Sequence, residues 1–360
     1  MNVIKYRSLD ALPSKYRVLL TQGEQQSFYY GLSWFKNLEQ NILEGKEGIS
    51  YAVEDAQGKA ILLFVMRESC QRSGILRIRE LSGLENYYSS LYGPAVDAGK
   101  EQITQALQLL ALEIVKERPH YHVINLQPLD RESHVYGALI KALHFAGFHV
   151  QTYFCFGNWY HELSGESYQD YFSGLSSRVR NTINRKTRKF NRQDTTIKIY
   201  VSPADVNIAV RDYEKIYNSS WKQPEPYPDF IQGLVTLAAE RGWLRLGIAY
   251  LDNEPVAAQI WIVCSGVASI YKLAYDEKYA KLSAGTILTA KLMEYVIDRD
   301  HVRQVDYLTG DDAYKKEWMS ARRERWGVIG FNSKTLNGKL LAIRHIGASS
   351  LKRLLKKQHH

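Results

Sequence analysis

The chain has 360 residues, 45% hydrophobic and 24% charged, a globular composition with length for about two domains of ordinary size. Its net charge of +9 is concentrated in two stretches that contain no acid, Arg178–Arg192 and Lys334–His360, each with seven lysines and arginines. The remainder is therefore net acidic, which excludes a uniformly basic, DNA-binding body.

In chain order, VIKYR (3–7) reads as a strand, and two short helical stretches precede Asn41. YAVED (51–55), AILLFVMRE (60–68) and ILRIREL (75–81) then form a meander. A helix over Lys100–Glu117, a strand over His122–Leu126, a helix over Ser133–Phe145 and a strand over Val150–Phe156 follow. Ser167–Asn191 has helical character and holds the first basic cluster, so a pair of bridging helices is expected between Tyr160 and Thr195. Val179 and Ile183 lie four apart there, a spacing that packs one face and leaves the charges in water.

The second half opens on a strand in TTIKIYVS, from Thr195, followed by helices near Val206–Ser220 and Pro228–Glu240. RLGIAYL (245–251), VAAQIWIVC (256–264) and VASIYKLAY (267–275) form a second meander, joined by the turn-rich Asp252-Asn253-Glu254-Pro255 and Ser265-Gly266. Leu288, Leu292 and Tyr295 recur at helical spacing, which opens a helix near Gly285. A strand at Gln304–Leu308, a helix over Ala313–Ser320 and a strand at Trp326–Asn332 complete the half. The two halves share one order of elements with little residue identity, the pattern of a duplicated fold. The expectation is a mixed α/β chain with domains at 1–160 and 195–335, basic bridging helices at 161–194 and a basic amphipathic tail at 336–360.

Three cysteines, Cys70, Cys155 and Cys264, sit singly in apolar, strand-like runs without the spacing of a metal site or disulfide framework. They read as buried thiols in a reducing compartment. No apolar leader segment opens the chain, and no run approaches the roughly 20 apolar residues of a spanning helix. A cytoplasmic protein with no metal and no permanently bound cofactor is expected.

The block from Ser220 to Trp318 resembles the CelD-like acetyltransferases, relatives of the FemABX transferases within the Gcn5-related N-acetyltransferase (GNAT) superfamily. The features that carry it are Ser220-Trp221-Lys222, Ala257-Ala258-Gln259, and Tyr271-Lys272-Leu273-Ala274-Tyr275-Asp276 with Tyr279. They continue with Leu282-Ser283-Ala284-Gly285, Asp306-Tyr307-Leu308-Thr309-Gly310 and Tyr314-Lys315-Lys316-Glu317-Trp318. The resemblance covers about half the chain. It implies tandem GNAT-like domains, each a central, mainly antiparallel mixed sheet flanked by helices, and transfer of an acyl group to an amine. It also implies that Val267–Tyr275 and Gln304–Leu308 splay apart to admit an acyl thioester. One departure concerns the donor. The family's pyrophosphate loop is rich in glycine, whereas Lys281-Leu282-Ser283-Ala284-Gly285-Thr286 keeps one, so acetyl-CoA does not follow automatically.

Individual side chains admit two readings each. Ser283, Ala284, Gly285 and Thr286, with Lys281, either cradle a donor phosphate at a helix N-terminus or form an ordinary helix start. Tyr271 and Tyr275 share one face of a strand, lining the cleft or packing on a helix, while Lys272 faces the other way. Asp306 interrupts an apolar strand, so it needs a partner and is the first candidate for general base. Lys315 reads as that partner or as a phosphate ligand, and Asp311 as a substrate contact or a helix cap. Trp221 and Lys222 precede the QPEPYP loop where an acceptor would approach, and Gln259 hydrogen-bonds either ligand or neighbouring backbone. Tyr87, Tyr88 and Tyr92 mark a platform for the acceptor in the first half.

The leading expectation is an N-acyltransferase that uses acyl-CoA or an acyl-carrier-protein thioester as co-substrate and acts on an amine of an amino-sugar, peptide or related envelope or secondary metabolite. An aminoacyl-tRNA-dependent transferase is the alternative suggested by the basic segment, with tRNA the less favoured partner. A non-catalytic GNAT scaffold that binds carbohydrate or a partner is the third. The tail either lies on the inner membrane surface as a peripheral contact or docks on the protein body.

Overall fold

The computed structural model describes residues 1–43, 48–73 and 76–345. The chain forms two compact units, Met1–Cys155 together with the chain from Glu324 onward, and Phe156–Arg323. In the first unit β1 (Asn2–Tyr6) is followed by α1 (Ser14–Glu24) and α2 (Leu32–Ile42), then β2 (Ile49–Glu54), β3 (Ala60–Ser73), β4 (Leu76–Gly83) and the short β5 (Ala95–Val96). α3 (Lys100–Lys116), β6 (Val123–Asp130) and α4 (His134–Phe145) come next, and β7 (Phe148–Glu162) carries the chain into the second unit. The sheet runs β1-β2-β3-β4-β6-β13, where β13 is Ala321–Asn332. Leu62, Leu63, Phe64, Val65 and Leu81 on the sheet and Leu107, Leu110 and Ile114 on α3 are buried in its core.

In the second unit α5 (Tyr168–Gly174) and α6 (Ser177–Phe190) precede β8 (Thr195–Tyr200), α7 (Val206–Asn218) and α8 (Pro228–Glu240). The meander β9 (Leu244–Leu251), β10 (Glu254–Cys264) and β11 (Val267–Tyr275) leads into α9 (Ala284–Asp298) and β12 (Gln304–Asp306). Strand order here is β7-β12-β11-β10-β9-β8. The bridging helices belong to this unit. Val179, Ile183 and Phe190 of α6 are buried in one cluster with Leu288, Leu292, Met293 and Val296 of α9, and the arginines and lysines between them stay outside.

The last strands are exchanged relative to the sequence boundaries. β13 pairs antiparallel with β6 from Arg325↔Asp130 to Phe331↔Val123, so residues read as the end of the second domain complete the first unit's sheet. β7 pairs with β12 from Gln304↔Glu162 to Asp306↔Tyr160, so the end of the first half closes the second. Gly327 is required where β13 passes Tyr153, because a Cβ there would lie 2.1 Å from that ring.

Both units contain a three-pair parallel contact. In the first, Glu80↔Val123 to Ser82↔Asn125 join β4 to β6. Beyond it Tyr92, 2% exposed, closes the space: its amide donates to the Pro128 carbonyl (2.7 Å) and its hydroxyl to the Val65 carbonyl (2.8 Å). The ring lies where a Cβ on Gly83 would be, 2.6 Å away. Tyr92 is therefore a core plug and no part of a platform, and of its two companions Tyr88 is buried and Tyr87 exposed.

Other expectations are corrected. Cys70 is exposed on the outer half of β3, its thiol 3.0 Å from Arg77 Nε, because burial along this long strand falls off after Met66; Cys264 is buried and Cys155 partly so. The helix read over Ala313–Ser320 is a single 3-10 turn, Lys315–Glu317, since the chain leaves a turn at Gly310 (φ 107°) and β13 starts at Ala321. The strand read to Leu308 ends at Asp306, because Leu308 adopts a left-handed φ of 53°. Residues 336–345 of the tail are helical and dock on the first unit through Ala342, buried with Val123 and Phe331. Residues 346–360 lie outside the described part of the chain. Among the described residues no helix is long and apolar enough to cross a membrane.

Candidate active site

The gap expected between the two splaying strands is present. β11 pairs with β12 only at Val267↔Gln304, Ala268↔Val305 and Ser269↔Asp306. Past that point the β12 chain turns to β7, with the Tyr307 amide donating to the Trp159 carbonyl (2.9 Å). The edge of β11 from Ile270 to Tyr275 is left without a neighbouring strand, and such an edge offers backbone donors to a carbonyl entering the gap. The β10–β11 register shifts at Ile260/Trp261, so Tyr271 is an extra, bulged residue that opposes nothing on β10.

α9 begins beside this gap. Ser283 takes a left-handed φ of 55° and does not cap the helix with its side chain. Ala284 is buried, Ser283, Gly285 and Thr286 are half-buried and Lys281 is exposed. The first amides of such a helix have no intrahelical partner, which makes its N-terminus an anion site. Gln259 fixes its position: Nε2 donates to the Gly285 carbonyl (2.9 Å) and to Thr289 Oγ1 (2.8 Å), while Oε1 accepts from Trp261 Nε1 (2.9 Å). At 2% exposure Gln259 is a strap between β10 and α9, its hydrogen-bonding groups committed to the protein and not to a ligand.

Asp306, 4% exposed, is paired with Arg323 and not with Lys315. Its Oδ1 accepts from Asn158 Nδ2 (2.6 Å) and the Leu308 amide (2.7 Å), its Oδ2 accepts from Arg323, and Arg323 Nε donates to Asn158 Oδ1 (2.7 Å). Lys315, 5% exposed, donates to the carbonyls of Thr309, Tyr307 and Gly310 and lies 3.4 Å from Asp312. Burial pushes its ammonium pKa down, against the pull of Asp312, Asp306 and Asp311. Asp311 accepts from Trp159 Nε1 (2.8 Å) and is ion-paired with Arg322 (2.7 Å), whose hydrogen bonds hold its carboxyl below the usual range. These groups shape the loop Tyr307–Asp312, one lip of the gap.

The other lip is aromatic and cationic. Trp221, 48% exposed, stacks on Tyr275 with ring centroids 4.6 Å apart. Lys222 Nζ lies over the rings of Tyr217 (5.6 Å) and Trp221 (5.8 Å). Among the described residues its ammonium has no hydrogen bond or ion pair. Lys272, projecting to the α7 side of β11, pairs with Glu225 at 2.5 Å and also approaches the Tyr217 ring (5.8 Å). Burial pushes the Lys222 pKa down to about 8, helped by repulsion from Lys272 and Lys315 and opposed by Glu225.

The fold and this gap define a GNAT-type acyltransferase. Residues 177–316, all within the second unit, match the family model of the acetyltransferase (GNAT) domain. No curated protein matches the chain. Among solved structures, FemX is similar at 11% identity and a TM-score of 0.64, over 95% of this chain and 99% of that one. A tandem GNAT protein from the clavulanic acid biosynthesis pathway is similar at 10% identity and TM-score 0.51, over 91% and 98%. The C-terminal domain of a putative lysylphosphatidylglycerol synthetase from Agrobacterium fabrum is similar at 10% and 0.51, over 88% and 91%. At these identities the likeness is one of fold.

Arg323, Asn158 and Glu225 were not singled out in the sequence. The only signal for the first two was the need of Asp306 for a partner, and Glu225 lay in a loop read for its prolines.

Proposed function

We propose that the second unit transfers an acyl group from an acyl-CoA or acyl-carrier-protein thioester to an amine on an amino-sugar, peptide or related envelope or secondary metabolite. The observation that carries this reading is the unpaired edge Ile270–Tyr275 beside the N-terminus of α9. In this reading the thioester carbonyl meets backbone donors of β11, and donor phosphates meet the amides of Ala284 and Gly285 and the Thr286 hydroxyl, with Lys281 at the rim. The amine approaches over Trp221 and Tyr275, attacks the carbonyl carbon and expels the thiolate, which takes up a proton as the amine loses one. Tyr271 and Asp311 flank that path. Asp306 and Lys315 act by holding the lip at Tyr307–Asp312. Thiol release from acyl-CoA on addition of an amine tests the reaction. Asp306→Asn and Lys315→Ala should each lower kcat by about tenfold or more with the fold retained, and full activity in both removes the assigned lip from the mechanism.

The outer face of α6 favours a second reading, aminoacyl-tRNA as donor. Arg185, Arg188 and Lys189 are exposed there on a helix without acids, and Arg192 is exposed just past its end. Phosphate-driven binding is strongest at low salt, so a charged tRNA that neither binds nor donates in low-salt buffer eliminates it. The reaction belongs, in our reading, to the cytoplasm with peripheral membrane contact through the tail, supported by Leu336, Leu340 and Ile343 standing exposed on the 336–345 helix. Co-sedimentation with anionic lipid vesicles that survives Leu336→Glu/Ile343→Glu unchanged rules that contact out.

A further inference from the structure

Ammonium groups from three separate segments border one place at the gap: Lys222 from the loop after α7 and Lys272 from β11 on its α7 side, and Lys315 from the turn before β13 on the facing lip. The first two approach the same Tyr217 ring, at 5.6 and 5.8 Å, and Lys222 feels the repulsion of both others. Within the cluster Lys272 is matched by Glu225 at 2.5 Å, and Lys315 is surrounded by carbonyl oxygens and Asp312. Lys222 has aromatic faces and nothing anionic in hydrogen-bond contact. Gathering like charges away from water opposes folding unless an opposite charge joins them. Trp221, 48% exposed, stacks on Tyr275 at the edge of the gap, and Lys222 lies against its ring.

We propose that this cluster, with Lys222 at its open end, receives an oxyanion, carboxylate or phosphate, carried by the amine acceptor within a short spacer of its reacting nitrogen. The inference deepens the acyl-transfer reading and rests on it for the word acceptor. Donor phosphates have their own site at α9, which packs on the opposite face of β10 and β11 from Lys272, through Gln259 and Thr289. An anion held by Lys222 also explains why an aromatic stack and a lysine stand together: the rings exclude water and strengthen the charge pair, while the ammonium fixes which end of the acceptor enters first.

The test has two arms on the full chain. In the first, an amine-acylating reagent labels surface lysines at pH 8 in chloride, phosphate or acetate at equal ionic strength, and mass spectrometry reads Lys222. Protection by about threefold or more in phosphate or in acetate is expected, and the better protector names the oxyanion. Equal labelling in all three overturns the site, whatever the enzyme does. In the second arm, thiol release from acyl-CoA is followed with three matched amines: 2-aminoethanol, 2-aminoethyl phosphate and 3-aminopropanoate. One of the anionic amines should have a kcat/KM about tenfold or more above the neutral one, expressed in KM. Lys222→Gln should abolish the preference and Lys222→Arg keep most of it. Equal kcat/KM for all three amines overturns the inference while acyl transfer stands. No thiol release with any amine removes the acyl-transfer reading, and the labelling arm still decides the anion site.

Discussion

Asn158 and the Leu308 amide occupy one oxygen of Asp306 and Arg323 is ion-paired with the other, so the carboxylate's charge is already matched and it is a weak base toward an incoming amine. An acid in an apolar strand demands a counter-ion, and that much was legible from the residue alone. The identity of the partner was not, because Asn158 stands 148 residues away and Arg323 follows 17 later in a stretch read as leading into a strand. Asp306→Asn keeps the shape but leaves Arg323 unmatched, and should cost about 2 kcal/mol or more in urea unfolding. Asp306→Asn with Arg323→Met should recover part of that loss, a non-additivity a double-mutant cycle reads. Lys222 carries the opposite sign. Its folded pKa of about 8 is below the ordinary 10.5, so the unfolded state binds more protons between those values and stability rises with pH across that window. Lys222→Met should therefore be more stable than the parent at pH 7, by about 1–2 kcal/mol, with the difference narrowing as pH rises from 8 toward 10.5.

At the scale of elements, the meander β9–β10–β11 and helices α7 to α9 lie close to where alternation and spacing put them, because each buries an apolar face that repeats at its own period. The failures are local. The 3-10 turn at Lys315–Glu317 replaced a helix because the ten residues between the turn at Gly310 and β13 are held close to the preceding loop, with Lys315 satisfying its carbonyls. The bulge at Tyr271 is invisible to a period of two. Gln259 was equally ambiguous, since one amide in an apolar strand fits a ligand contact or a brace. As a brace it sets where α9 starts, so Gln259→Leu should weaken donor binding, raising the donor KM several-fold with kcat less affected, and cost about 1–3 kcal/mol from stranded buried polar groups at Trp261 and Thr289.

For the whole molecule, two copies of one order of elements were legible, and the second was assigned a gap that the structure contains. What distinguishes the copies was not legible. Tyr92 fills in the first unit the space that remains open in the second, and a tyrosine among aromatics gives no sign of being a plug. If the second unit takes an acyl-CoA donor as proposed, the plug limits the chain to one, and calorimetric titration with a non-hydrolysable acyl-CoA analogue should give a stoichiometry of about one; two equivalent sites would show that the plug opens. The exchange of last strands was also beyond reach, since a strand's own alternation does not name its neighbours and only pairing reveals the partners of β7 and β13.

That exchange sets an order of events during synthesis. β6 lies early in the chain, yet the strand beside it, β13, ends at Asn332. The amino-terminal unit must leave the ribosome with one sheet edge open and wait until nearly the whole polypeptide has been made. A chain truncated after Ser164 should accordingly be insoluble or protease-sensitive by itself, and be rescued by co-expression of the remainder.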